Sequence, residues 1–156
     1  MKIQFLITLL LLSSFSGCLD NLLGNEETEK SSPPLGLSKQ CILHDDKERC
    51  WLILIPENID FTKENPLIID MHGIGGSMYL QHNLTRFANI SEEYGFYVAY
   101  PQGFNNEWNM ADDLCCGDDD DFGFILEMIE IIIQRYTVDE SRIYSTGWSN
   151  GCGMTQ

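Results

Sequence analysis

The stretch RIYSTGWSNG, Arg142 to Gly151, decides how the rest of the chain is read. Its first half, Arg142-Ile143-Tyr144-Ser145-Thr146, predicts a short strand. Its second half, Gly147-Trp148-Ser149-Asn150-Gly151, is a G-x-S-x-G. A serine hydroxyl is a weak nucleophile until a base takes its proton and the backbone holds it against a carbonyl. Small residues two before and two after the serine let the chain turn sharply from strand into helix. Ser149 would then project above the sheet, with the following helix start favouring negative charge. Three fixed positions are a weak signal, and a structural turn serine is the competing reading. The predicted strand in front of the motif is the context it requires.

Upstream, strands and helices alternate. Pro66-Leu67-Ile68-Ile69-Asp70-Met71 is a short apolar run suited to a strand buried on both faces. Ser77 caps a predicted helix to Tyr94, with Leu80, Leu84, Phe87, Ile90 and Tyr94 on one stripe and Gly95 as terminator. Phe96 to Tyr100 is the next strand, ended by Pro101, and a long loop rich in Asn, Asp and Gly follows over 101–119. Phe122, Ile125, Leu126, Ile129, Ile132, Ile133 and Tyr136 mark a second helix, opened by aspartates placed for the helix dipole. Ahead of all this, Cys41-Ile42-Leu43-His44 and Arg49-Cys50-Trp51-Leu52-Ile53-Leu54-Ile55 flank a polar Asp45-Asp46-Lys47-Glu48 turn and predict a β-hairpin. With Asp45-Asp46 at its centre, Cys41 faces Cys50, either as a disulfide or as two buried thiols. The order argues for an α/β fold, a mostly parallel sheet with helices on both faces.

A second motif, His72-Gly73-Ile74-Gly75-Gly76-Ser77, follows the buried strand at 66–71. Its glycines let backbone N–H groups approach a ligand and form half of an oxyanion hole, with Ile74 as donor and Gly73 as the alternative. The other half is the N–H of Asn150, the residue after the serine. His72 reads as a structural loop histidine and not as a general base. A phosphate-binding glycine loop is disfavoured because no Gly-Lys-Ser/Thr follows.

Both termini and the composition add bounds. Met1-Lys2, the apolar run Ile3 to Leu12 and Ser13-Ser14-Phe15-Ser16-Gly17 before Cys18 read as a signal peptide over 1–17. The small residues before Cys18 resemble a lipobox, with Phe15 where an aliphatic residue is usual, so Cys18 is the candidate lipidation site. Residues 18–36 read as a lipid-anchored flexible linker, and the folded part is expected over 37–156. These features place the protein outside the cytoplasm, extracellular or at the cell surface, anchored to the membrane as a lipoprotein or, on the alternative reading, simply secreted after cleavage. The chain holds 24 acidic and 9 basic residues, net −15, which disfavours nucleic acid as a partner. Zinc is disfavoured for want of a paired C-x-x-C, and the aspartate run does not match an EF-hand loop, so no metal and no cofactor are expected. Cys115, Cys116 and Cys152 are further disulfide candidates.

Taken in order, PLIIDMHG at 66–73, Pro101-Gln102-Gly103, Trp108-Asn109, Asp120-Asp121-Phe122-Gly123-Phe124, Val138-Asp139 and GWSNG at 147–151 resemble the secreted polyhydroxybutyrate depolymerase and feruloyl esterase family of α/β-hydrolases. The resemblance covers roughly residues 50–156. It implies a serine esterase working through an acyl-enzyme, with polyhydroxyalkanoates or feruloylated and acetylated polysaccharides as substrates. It also implies a catalytic acid and a histidine after the serine in chain order. The seven residues after Ser149 contain no Asp, Glu or His. The sequence therefore reads as the N-terminal part of such a domain, truncated after the nucleophile elbow and inactive by itself. A non-catalytic lipoprotein binding module and a peptidase of the same fold are the alternatives.

Overall fold

The computed structural model divides the chain into two units, Met1–Ser32 and Pro33–Gln156, and residues 33–110 and 116–155 are the described ones. The expected signal peptide over 1–17, Cys18 and Cys115 lie outside them. The described residues form a five-stranded sheet in the order β1-β2-β4-β3-β5. The strands are β1 (Gly36–His44), β2 (Lys47–Ile55), β3 (Asn65–Met71), β4 (Tyr97–Pro101) and β5 (Val138–Gly147), and the helices are α1 (Met78–Thr85), α2 (Phe87–Tyr94), α3 (Asp121–Arg135) and α4 (Asn150–Gly153). β3 runs parallel to both β4 and β5. The β1–β2 hairpin adds an antiparallel edge through β2 and β4. Asp45 and Asp46 both take positive φ, as a tight two-residue turn requires. In that register Cys41 lies opposite Cys50 and the two form a disulfide.

β2 explains why the sheet is covered on both sides. Every residue from Cys50 to Ile55 is buried. Trp51, Ile53 and Ile55 enter a core with Phe124, Met128 and Ile132 of α3. Cys50, Leu52 and Leu54 enter a second core with Met78 of α1, Val98 and Tyr100. Alternate residues of a strand point to opposite faces, so an unbroken apolar run needs cover on both. Each large apolar side chain so buried stabilises the fold by roughly 1.5–3 kcal/mol.

Two helix expectations are corrected. The single helix expected from Ser77 to Tyr94 is two, divided at Arg86, whose φ of 58° interrupts the ladder. Of its expected apolar stripe only Phe87 packs against the core: Leu80, Leu84, Ile90 and Tyr94 are exposed, and the buried positions are Met78, Gln81 and Ser91. Gln81 is inside because its amide donates to Asp70 Oδ1 at 2.7 Å, while Thr85 Oγ1 donates to Asp70 Oδ2 at 2.7 Å. A buried carboxylate thus sets the rotation of α1, overriding the apolar spacing. On α3, Ile132 and Tyr136 of the expected stripe are buried and Ile125, Ile129 and Ile133 pack against the core, but Phe122 and Leu126 are exposed, and Phe124 and Met128 fill the inward face with Ile132.

The aspartate run is only partly solvated: Asp118 and Asp120 are exposed, but Asp121 is buried. Lys47 pairs with Asp119, and Arg49 pairs with Asp121 in a fully buried bridge. His44 lies 2.6 Å from Glu127 and 3.4 Å from Asp120. Asp120 also caps α3 by accepting from Gly123 N–H at 2.9 Å. Three cations of one hairpin therefore meet successive acids at the start of α3. Arg49 also lies over the Phe124 ring, 4.2 Å from its centroid.

Candidate active site

Ser149 sits between β5 and α4 with φ 51° and ψ −114°, a conformation costly for a residue with a Cβ. The flanking glycines show what holds it there. A Cβ on Gly151 would lie 2.4 Å from the carbonyl oxygens of Met71 and His72, and one on Gly147 would lie 2.5 Å from Gly151 O. The elbow therefore packs backbone to backbone against the end of β3. Trp148 N–H donates to Met71 O at 3.0 Å, and Gly151 N–H donates to Trp148 O at 3.0 Å. Ser149 is exposed and stands at the N-cap of α4, yet its hydroxyl makes no capping bond.

The glycine loop after β3 comes to the same place. A Cβ on Gly73 would lie 3.5 Å from Ser149 Cβ and 3.1 Å from Trp148 O. Gly75 N–H donates to Asn106 O at 2.7 Å and Gly76 N–H to Gly73 O at 2.9 Å. Among the described residues the N–H groups of Ile74 and Gly73 donate to no protein acceptor. As the first residue of α4, Asn150 has a backbone N–H without an intrahelical partner. Loop and elbow thus present free donors beside one exposed serine.

His72 is buried and fully engaged. Gly103 N–H and the Gln102 amide donate to its Nε2 at 3.0 and 3.1 Å, and its Nδ1 donates to Gly73 O at 2.8 Å. Those partners select one neutral tautomer, and burial lowers its pKa from the ordinary 6.5. His72 therefore ties the glycine loop to the 102–109 loop and has no nitrogen left for the serine. His44 is held at α3, and His82 packs edge-on against Tyr100. Among the described residues no imidazole is hydrogen-bonded to Ser149.

Two supports were not anticipated from sequence. The Asn150 side chain is buried: its Oδ1 accepts from Trp108 N–H at 2.7 Å and its Nδ2 donates to Trp108 O at 3.0 Å. Trp108 is fully buried and donates from Nε1 to His72 O at 2.8 Å. It packs beneath the site and does not line an approach to it. Gln102 Oε1 accepts from Met78 N–H at 3.0 Å, fastening the start of α1 to the same loop. Nothing about an isolated Asn or Gln in a loop signals such a bracket. Cys152 is an exposed free thiol, so no bridge from the 115–116 pair reaches it. Among the described residues the one cluster of metal-ligand types, Cys41, Glu48 and Cys50, has its thiols tied in the disulfide.

Searched against models of protein families, the chain matches none. It is 33% identical over 93 residues to feruloyl esterase B of Neurospora crassa, covering 57% of this chain and 32% of that one. It is 30% identical over 110 residues to acetylxylan esterase A of Emericella nidulans, covering 67% of this chain and 35% of that one. The chain thus spans about a third of the length of these relatives. Among solved structures, an acetyl xylan esterase from Aspergillus awamori superposes with a TM-score of 0.64 at 24% identity, over 76% of this chain and 45% of that one. The fold of these neighbours is the α/β-hydrolase fold, which fits the sheet described above. With the sequence kinship to feruloyl and acetylxylan esterases, this places the chain in the esterase family of α/β-hydrolases.

Proposed function

We propose that this chain carries the nucleophile and the oxyanion hole of a serine carboxylesterase. The adjacency of Gly73 and Ser149 carries the reading, because it sets free backbone donors beside an exposed, uncapped serine. The ester carbonyl oxygen would accept from the N–H groups of Asn150 and Ile74, with Gly73 as the alternative donor. Ser149 Oγ attacks the carbonyl carbon, its proton passes to a base, the alcohol leaves, and water releases the acid from the acyl-enzyme. The base and its acid partner come from outside the described residues. The relatives' names favour feruloyl or acetyl polysaccharide esters as substrates, and polyhydroxyalkanoates extend the same chemistry. The leader over 1–17 and Cys18 support export and lipid anchoring at the cell surface.

Acylation without the base is slow but leaves a mark. Incubation with p-nitrophenyl acetate, followed by proteolysis and mass spectrometry, is expected to find one acetyl group on the peptide carrying Ser149 and none there in Ser149→Ala. Acetyl groups on lysines alone would overturn the assignment.

A further inference from the structure

The backbone donors beside Ser149 sit on two segments, the elbow and the glycine loop, and Trp108 is bonded to both. At one end the Asn150 side chain grips its backbone. Trp108 N–H donates to Asn150 Oδ1 at 2.7 Å, and Asn150 Nδ2 donates to Trp108 O at 3.0 Å. At the other end the indole Nε1 donates to His72 O at 2.8 Å. The indole itself cannot swing: it is fully buried against the His72 ring, 5.0 Å between centroids, and against Gly103, where a Cβ would lie 3.1 Å from Trp108 Cδ2. His72 C=O and Gly73 N–H belong to one planar trans peptide and point in opposite directions. A donor fixed on His72 O therefore aims Gly73 N–H. The next peptide, Gly73 C=O with Ile74 N–H, is held through Gly73 O, which accepts from Gly76 N–H at 2.9 Å and His72 Nδ1 at 2.8 Å. The elbow's own backbone bond to this region, from Trp148 N–H, falls on Met71 O, one peptide earlier. Among the described residues Trp108 is thus the one bonded to both the elbow's Asn150 and the His72–Gly73 peptide.

Resting on the esterase reading, we infer that Trp108 is a positioning residue: as a strut between elbow and glycine loop, it sets the direction of the loop donors and their spacing from Asn150 N–H. It does this without touching substrate. Spacing matters because an oxyanion forms only as the carbonyl is attacked, and donors already in place stabilise it without reorganising at that moment. Cutting the strut at the indole leaves His72 O buried without a donor. A buried carbonyl in that state turns towards water, and the glycine that follows it lets the peptide rotate. Gly73 N–H turns with it, and the loop donors lose their register with the elbow.

Trp51 supplies the control. It too is fully buried, but its Nε1 has no hydrogen-bond partner among the described residues. Four proteins are compared: wild type, Trp51→Phe, Trp108→Phe, and one with Trp108 replaced by benzothienylalanine. That last side chain keeps the bicyclic shape and puts sulfur in place of the N–H, so it tests the bond even where Trp108→Phe fails to fold. Each is acetylated with p-nitrophenyl acetate carrying carbon-13 at the carbonyl. The infrared difference against carbon-12 protein isolates the ester carbonyl on Ser149, a band absent from Ser149→Ala. Hydrogen bonds to a carbonyl lower its stretching frequency. In wild type and Trp51→Phe the band is expected below that of the same ester in urea-unfolded protein. In the Trp108 variants it should move up, and acetylation of Ser149 should slow roughly tenfold or more. A residue that only fills the core would lower the Tm in either tryptophan variant and leave the band in place. An unmoved band in the Trp108 variants therefore overturns the inference, and so does an equal upward move in Trp51→Phe. Adding Asn150→Ala to the benzothienyl protein should slow acetylation little further, because the strut is already cut. Slowing equal to the product of the two single effects would show that the two ends do not act as one strut. Absence of the ester band from wild type would sink the esterase reading itself, whereas a wild-type band unmoved by the Trp108 variants sinks the strut alone.

Discussion

At Gly151 there is no room for a side chain, because two carbonyl oxygens of the β3 end lie where a Cβ would go. Gly151→Ala must push the elbow away from β3, and overpacking of this kind costs about 3 kcal/mol. The expected outcome is a lower midpoint in urea together with loss of Ser149 acetylation, since the serine is displaced. Asn150 acts at the same scale but through its side chain. Asn150→Ala keeps the backbone donor yet strips the backbone N–H and C=O of buried Trp108 of their side-chain partner. Unsatisfied buried groups cost roughly 1–3 kcal/mol each, so destabilisation of about 2 kcal/mol or more is expected in denaturant titration. The G-x-S-x-G pattern was legible because its glycines answer a local demand for space. The bracket between Asn150 and Trp108 was not, because it joins positions 42 residues apart.

At the scale of elements, the hairpin is fastened to α3 by charge. Arg49→Met leaves Asp121 buried without its ion partner. Removing one member of a buried pair typically costs ~3–5 kcal/mol. Adding Asp121→Asn to Arg49→Met should recover part of the loss, as a double-mutant cycle in urea would show. Burial would lower the pKa of His44, but hydrogen bonds and charge from Glu127 and Asp120 outweigh it and leave it raised above the ordinary 6.5. A raised histidine pKa stabilises fully below the unfolded value, and the gain fades as pH rises through the folded one. The wild-type Tm should therefore exceed that of His44→Gln at about pH 5.5, with the gap closing by about pH 8.5. Equal gaps at both values would show that the His44 contacts carry no titrating charge. The hairpin itself was readable from its turn, but its cations were not readable as anchors. Arg49 stood out only as a charge opening an apolar run.

For the whole molecule, what matters is the surface that β5 and α3 present. Phe122, Leu126 and Tyr144 are exposed around a cleft of about 270 Å³ whose walls also include Ile125, Ile129 and Ile143. β5 is an edge of the sheet, with its outer backbone groups unpaired among the described strands. An apolar patch beside an open edge favours self-association. The 156-residue chain should sediment as larger species as its concentration rises, and Leu126→Lys with Tyr144→Lys should shift it towards monomer. Its steady-state hydrolysis of p-nitrophenyl acetate should be no faster than that of Ser149→Ala, because no described imidazole serves the serine. Ser149-dependent turnover would show that a base is present after all.

The sequence by itself determined the alternation of strands and helices, the hairpin register and the place of the elbow. Each rests on a short-range rule: side-chain period, turn geometry, or the space a glycine leaves. Only the tertiary structure decided which face of α1 turns inward, because that answer lies in the Asp70 carboxylate and its bonds to Gln81 and Thr85. It likewise decided that Leu80 and Leu84 stand outside, where apolar spacing had placed them in the core. Apolar spacing along a helix shows that one side seeks cover. Whether the core provides that cover depends on what the rest of the fold brings to it.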